Sequence, residues 1–229
     1  MKNVIITGAS GNLGKAAVEK FVREKYKVIT TVTPGRPLGF EVDREVETYE
    51  ADLTDESSAG RFVEAIIAKH KTIDAALLLV GGFAPGGIDI TDGTLLNKMF
   101  TLNFNTAYYV ARPVFQHMLN QSNGGRIIFV GARPGLEAGA AKTSLAYGLS
   151  KSLIFNLANV LNAMAAHKNV TASVVVPSTI DTTINRQAMP SADFKIWVKP
   201  EEIADVMAYI CSDEASAWRG TVLKLYGNA

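Results

Sequence analysis

Val4-Ile5-Ile6-Thr7-Gly8-Ala9-Ser10-Gly11-Asn12-Leu13-Gly14 is the stretch on which the fold turns. A short β-branched run ends in glycines and passes into a segment of helical period, so it reads as strand, glycine turn and helix start. A turn of this kind is an anion site: backbone N–H groups and the positive end of a helix dipole converge, and glycine leaves room for a phosphate. Gly8 is expected to make the tight turn, Gly11 the close approach to a pyrophosphate, and Gly14 the close packing of helix on strand. The spacing is G-x-x-G-x-x-G rather than G-x-G-x-x-G, so the rest of the chain must carry part of the reading.

Strands and helices alternate from there on. Residues 15–24 place Ala17, Val18, Phe21 and Val22 on one helical face, and 27–33 (KVITTVT) is a β-branched strand stopped by Pro34-Gly35. An acidic residue at the end of that strand would take ribose hydroxyls; here stand Thr33 and, shortly after, Arg36. Hydroxyls and a guanidinium suit a 2′-phosphate, which leans the cofactor reading toward NADP over NAD while leaving both open. Further strands are expected at 45–50, 74–80, 126–130, 170–176 and 221–225, and helices from Thr54 or Asp55 to His70, across 91–120 with a break near Asn103, across 144–167 and across 200–212. Residues 74–80 are nearly all apolar, as in a parallel strand covered on both faces, and end in Gly81-Gly82, where a ligand can lie close. The pattern predicts one α/β domain over 1–229: a doubly wound Rossmann-type fold with a seven-stranded parallel sheet, helices on both faces, and its site at the strands' carboxyl edge.

Composition narrows the partners. With 229 residues, 48% hydrophobic, the chain can bury a sizeable core, and a net charge of +1 without a basic block favours a small-molecule substrate over nucleic acid or a membrane. The single cysteine, Cys211, cannot form an internal disulfide, His70, His117 and His167 lack ligand spacing so no metal is expected, and a cytoplasmic location is expected. The helix at 144–167 carries apolar residues on more than one face, and Phe104, Tyr108, Phe115 and Met118 lie on the preceding helix. A homodimer or homotetramer built on 103–120 and 144–167 is the expectation, with internal core as the alternative.

Tyr147 and Lys151, four apart on the long helix, project from one face. A phenol serves as acid or base near neutral pH when a nearby ammonium favours its anion, and the same ammonium can hold ribose hydroxyls. Together with TGASGNLG, Asp52, Asn103 and the run Pro177 to Thr182, this pair makes the chain resemble the short-chain dehydrogenase/reductase family along essentially its whole length. The resemblance implies a nicotinamide cofactor and a tyrosine that moves a proton while hydride is transferred. It implies further that Gly8, Ser10, Asn12 and Leu13 line the phosphates, Asp52 and Leu53 meet the adenine, and Gly81 and Gly82 back the ribose. Pro177, Ile180 and Thr182 lie at the carboxamide in the same analogy, and Asn103 sits at the helix break beside a water linked to Lys151.

The chain departs from the family pattern at Asn12, at Pro177-Ser178, and most consequentially at Ala132, where a catalytic serine is expected and no donor exists. Losing one donor to a developing oxyanion costs roughly a hundredfold to a thousandfold in rate. Thr143 or Ser144 could substitute, or the substrate needs less polarisation. The second option fits a local similarity to the dihydropteridine reductase branch, in residues 80–84, 131–133 and 180–194, which acts on an electron-poor quinonoid ring; the missing acidic residue on the second strand, a longer loop before Tyr147 and Asn103 point back to the general family. Residues 178–199 read as a substrate lid anchored by Met189, Phe194 and Trp197, with Phe83 and Ala132 completing the substrate wall. A regulator that binds the dinucleotide without turnover is the alternative function.

Overall fold

A computed structural model describes residues 1–228. Seven parallel strands stand in the order β3-β2-β1-β4-β5-β6-β7: β1 (Asn3–Thr7), β2 (Lys27–Val32), β3 (Val46–Glu50), β4 (Ala75–Leu78), β5 (Gly125–Val130), β6 (Val170–Pro177) and β7 (Val222–Leu225). The helices are α1 (Asn12–Arg23), α2 (Glu56–His70), α3 (Gly93–Phe100), α4 (Thr106–Asn120), α5 (Arg133–Leu136), α6 (Ala138–Ala141), α7 (Leu145–Met164), α8 (Thr183–Ala188) and α9 (Pro200–Ile210). Successive side chains of a strand point to opposite faces, and the core divides accordingly. Ile5, Ala76, Ile127, Phe129 and Val174 pack under α2, α4 and α7, while Val4, Ile6, Leu77, Ile128 and Val175 pack under α1 and α9. Each large apolar side chain so buried contributes about 1.5–3 kcal/mol. This is the doubly wound sheet expected from the alternation.

Two positions set up the site. Strand order reverses beside β1, whose neighbours are β2 and β4, and a crevice opens where the connections diverge. Gly8 adopts φ +69°, and a Cβ there would lie 3.1 Å from the Val80 amide nitrogen, so the ends of β1 and β4 abut. The expected break near Asn103 is a widening rather than an interruption: Thr101–Asn105 form one π-helical turn joining α3 to α4. Such a turn rotates one side chain out of helical register, and π-bulges are frequent at functional sites.

The apolar helix faces divide differently from expectation. Phe115 and Met118 are buried in the core, so they belong to no outward face; Tyr108 is exposed, stacked on Phe104 at 5.9 Å. On α7, Leu149, Val160 and Met164 stay exposed while Ile154, Phe155 and Leu161 enter the core. Among the described residues no helix is long and apolar enough to cross a membrane.

Candidate active site

The glycine turn behaves as its chemistry requires. Gly14 is packed so tightly that a Cβ would collide with the Gly8 carbonyl and lie 2.6 Å from the Ala9 Cα. Gly11 is uncrowded, its nearest neighbour being the Gly8 oxygen at 3.4 Å, and it starts α1 without a side-chain cap. The first N–H groups of α1 therefore face the crevice unpaired by any cap, next to exposed Ser10 and Asn12 and half-buried Leu13. At the end of β2, Thr33 and Arg36 are both exposed on one turn, closed by Arg36 N–H donating to the Thr33 carbonyl at 2.9 Å. Beyond β3, the Asp52 carboxylate accepts from the Thr54 hydroxyl (2.6 Å) and N–H (2.9 Å), bonds that hold its pKa below the usual range. Leu53 is buried in the core, which leaves Asp52 as the exposed group there.

The catalytic candidates meet between the ends of β4 and β5. A Cβ on Gly81 would stand 2.7 Å from Asn103 Oδ1 and 3.3 Å from Lys151 Nζ, so only a glycine lets these two side chains pack against the strand end. Asn103 Oδ1 accepts from the Gly82 N–H at 2.9 Å, and its Nδ2 donates to the Gly82 carbonyl (3.0 Å) and to Ser150 Oγ (3.1 Å). Ser150 in turn donates to the Tyr147 carbonyl at 2.8 Å. Asn103, placed by the π-helical turn, thereby locks the first turns of α7 to the end of β4. Ser150 escaped the sequence reading because α7 carries several other polar residues, Ser152, Asn156 and Asn159 among them, and only its full burial sets it apart.

Tyr147 and Lys151 share a helical face, but Lys151 Nζ donates to the Val130 carbonyl at 2.8 Å and no hydrogen bond joins the two side chains. Burial then governs both groups: it raises Tyr147 to about 12 and lowers Lys151 to about 8. Burial thus favours the neutral form of each. Phe83, exposed, meets the Tyr147 ring edge-on at 5.1 Å.

Ala132 is buried in extended backbone directly after β5, and its methyl offers no donor. Thr143 is exposed, whereas Ser144 is buried just ahead of α7, where Gly86 and Ser144 form a bridge: Gly86 N–H donates to the Thr143 carbonyl (2.8 Å) and Leu145 N–H to the Gly86 carbonyl (2.7 Å). The loops after β4 and β5 are thus tied together ahead of Tyr147. After Pro177, residues 178–199 are more ordered than an irregular lid: α8 fills part of them, Thr182 Oγ1 accepts from the Asn185 N–H at 3.2 Å, and the Ile180 carbonyl accepts from Asn185 Nδ2 at 2.8 Å. The Ile180–Val198 bridge closes the base of the segment. Met189 is exposed at its tip, but Trp197 is buried with Phe194 resting on it at 4.9 Å, so Trp197 anchors the segment and does not line an open wall.

A model of the short chain dehydrogenase family matches residues 2–193. The chain belongs to that family. Relatives spanning nearly the whole chain include the acetoacetyl-CoA reductase of Acinetobacter sp., 27% identical over 99% of this chain and 96% of the relative. The 3-oxoacyl-[acyl-carrier-protein] reductase of Thermotoga maritima is 25% identical over 99% and 96%. Among solved structures, ElxO with NADP bound superimposes with a TM-score of 0.90 over 99% of this chain and 97% of that one, at 22% identity, a likeness of fold.

As a short-chain dehydrogenase the chain brings Gly8, Gly14, Gly81, Gly82, Asn103, Tyr147 and Lys151 together around the carboxyl ends of β1, β4 and β5. Thr33, Arg36 and Asp52 stand apart at the ends of β2 and β3. Among the described residues no group of three His, Cys, Asp or Glu side chains is placed to hold a metal ion.

Proposed function

We propose that this member of the family is an NAD(P)H-dependent reductase acting on a small carbonyl or conjugated quinonoid substrate, with Tyr147 as proton donor and acceptor. The observation that carries the reading is the gathering of Asn103 and Lys151 against the bare backbone of Gly81, with Asn103 hydrogen-bonded to Ser150 on the helix that carries Tyr147. A lysine beside a bare glycine backbone at a strand's carboxyl end suits a dinucleotide's ribose, and Gly8, Ser10, Asn12 and the uncapped start of α1 suit its diphosphate. Exposed Thr33 and Arg36 favour NADP over NAD. ElxO, which shares the fold, binds NADP. The nicotinamide, when bound, supplies hydride. Tyr147, protonated at neutral pH, holds the proton that the substrate needs, and Lys151, largely an ammonium at pH 7, stabilises the phenolate left behind.

A quinonoid dihydropterin is the specific alternative within that class. Ala132 leaves the substrate oxygen without a side-chain donor, which a conjugated electron-poor ring tolerates better than a simple ketone, and Phe83 offers a flat apolar edge beside the acid. Residues 178–199 act as the lid, and the exposed stripe Leu149, Val160 and Met164 with Tyr108 forms a contact between copies of the chain. The test is steady-state oxidation of NADPH and NADH with quinonoid dihydropterin, a quinone and a panel of aldehydes and ketones. Turnover of at least one of them is expected, and a preference for the pterin over simple carbonyls would account for Ala132. Tight dinucleotide binding without turnover of any of them would favour the regulator instead.

A further inference from the structure

Between the glycine turn and α8 lies a cleft of about 450 Å³, lined by the cations Lys15, Arg186 and Lys199 and by the carboxylates Glu19, Asp181 and Glu201. Its most organised cation is Arg186, whose Nε and Nη2 donate to the two oxygens of Asp181 at 2.6 and 2.7 Å. The pair is lopsided. The Asp181 side chain is 12% exposed and its N–H donates to the Val198 carbonyl at the base of the lid, whereas the Arg186 side chain is 52% exposed. The carboxylate is fixed and the guanidinium can leave. Arg186 also lies over the Phe194 ring at 5.0 Å, and Phe194 rests on buried Trp197, so this one side chain braces the base, the helix and the tip of the lid. Lys199 bears favourably on the same carboxylate, and both Lys199 and Arg186 hold Asp181 below the usual carboxylate range, the hydrogen bonds from Arg186 most strongly.

We propose that Arg186 is the clasp on the dinucleotide's diphosphate: on binding, its fork passes from Asp181 to the diphosphate oxygens, Lys199 remains beside Asp181, and the lid is released from its brace onto the loaded site. The proposal rests on the nucleotide reading above. A guanidinium matches phosphate and carboxylate with the same two-pronged geometry, so the exchange keeps its hydrogen bonds. Only the arginine half of the pair is exposed, Lys199 stays beside the carboxylate when the guanidinium leaves, and the acceptor gained is a dianion beside Lys15 and the free N–H groups of α1.

The experiment is fluorescence titration with NADPH of the wild type, Arg186→Gln, Arg186→Lys, Asp181→Asn and the double variant, with thermal melts to confirm folding and chymotryptic digestion of the lid with and without NADPH. Arg186→Gln should weaken binding about tenfold, the worth of a charged hydrogen-bonded contact, with Arg186→Lys intermediate. Asp181→Asn should tighten binding about threefold or more by removing the competitor, and should lose that gain in the double variant. NADPH should protect the lid in the wild type and fail to do so in Arg186→Gln. Equal weakening by Asp181→Asn and Arg186→Gln, or no change in either, would overturn the clasp while leaving the nucleotide reading intact. A folded wild type that binds neither NADPH nor NADH would overturn both.

Discussion

The two ends of the sheet carry similar polar side chains and use them in opposite ways. At the amino end, Asp74 accepts from the Asn3 N–H at 2.7 Å, Asn3 Nδ2 donates to the Thr72 carbonyl at 3.1 Å, and Gln121 both accepts from the Ile73 N–H (3.1 Å) and donates to its carbonyl (2.7 Å). Arg126 closes onto the Asn169 carbonyl at 3.1 Å. At the carboxyl end, the side chains of Ser10, Asn12, Thr33 and Arg36 are exposed and make no hydrogen bond or ion pair among the described residues. Polar groups that satisfy one another hold the sheet together, whereas these four face solvent and are available to a ligand; Asn103 and Lys151, at the same end, are engaged by Gly82, Ser150 and the Val130 carbonyl.

The sharpest way to break this comparison is at Tyr147. Tyr147→Phe should lower turnover about a hundredfold to ten-thousandfold, the usual worth of a positioned general acid, while NADPH affinity stays within about twofold. Kinetics alongside a binding titration would show it, and unchanged turnover would remove Tyr147 from the chemistry. Lys151→Met should abolish turnover yet stabilise the fold. Because burial depresses Lys151 from 10.5 to about 8, the unfolded chain holds a proton between those values that the folded chain has lost. Stability therefore climbs as pH rises from about 8 to 10.5, and below about 8 the full penalty applies, up to about 3 kcal/mol. Denaturant titrations at pH 7, 9 and 10.5 should find the variant more stable at pH 7 and its pH dependence flatter; a less stable variant would refute this.

Smaller effects separate the two ends. Asp74→Ala leaves the buried-end N–H of Asn3 unpaired and should cost about 1–3 kcal/mol of stability, read by urea denaturation, with dinucleotide affinity untouched. Arg36→Ala should do the reverse: no measurable loss of stability, and a fall of about tenfold in the preference for NADPH over NADH, the worth of one charged contact to a 2′-phosphate. Loss of stability without loss of preference would mean that Arg36 is structural after all.

Much of the site was legible because it is written in short-range patterns. Glycines at fixed offsets after an apolar run, a tyrosine and a lysine one helical turn apart, and an all-apolar strand ending in Gly81-Gly82 each report a local backbone requirement. Ser150 and the division between Tyr108 and Phe115 were not legible in this way. Their roles depend on which element covers them, and a helical period cannot tell an apolar stripe facing a sheet from one facing outward.

What the sequence by itself determined is the order of strands and helices, the glycine turn, and the placing of Tyr147 and Lys151 on one helical face, because each follows from steric preferences and periodicities within a few residues. Only the tertiary structure decided that these two groups titrate away from each other, that Asn103 is aimed by a π-helical turn at Gly82 and Ser150, and that Arg186 is held by Asp181. Desolvation and hydrogen bonding between distant segments have no signature in local spacing; they exist only once the chain has packed and water has been excluded.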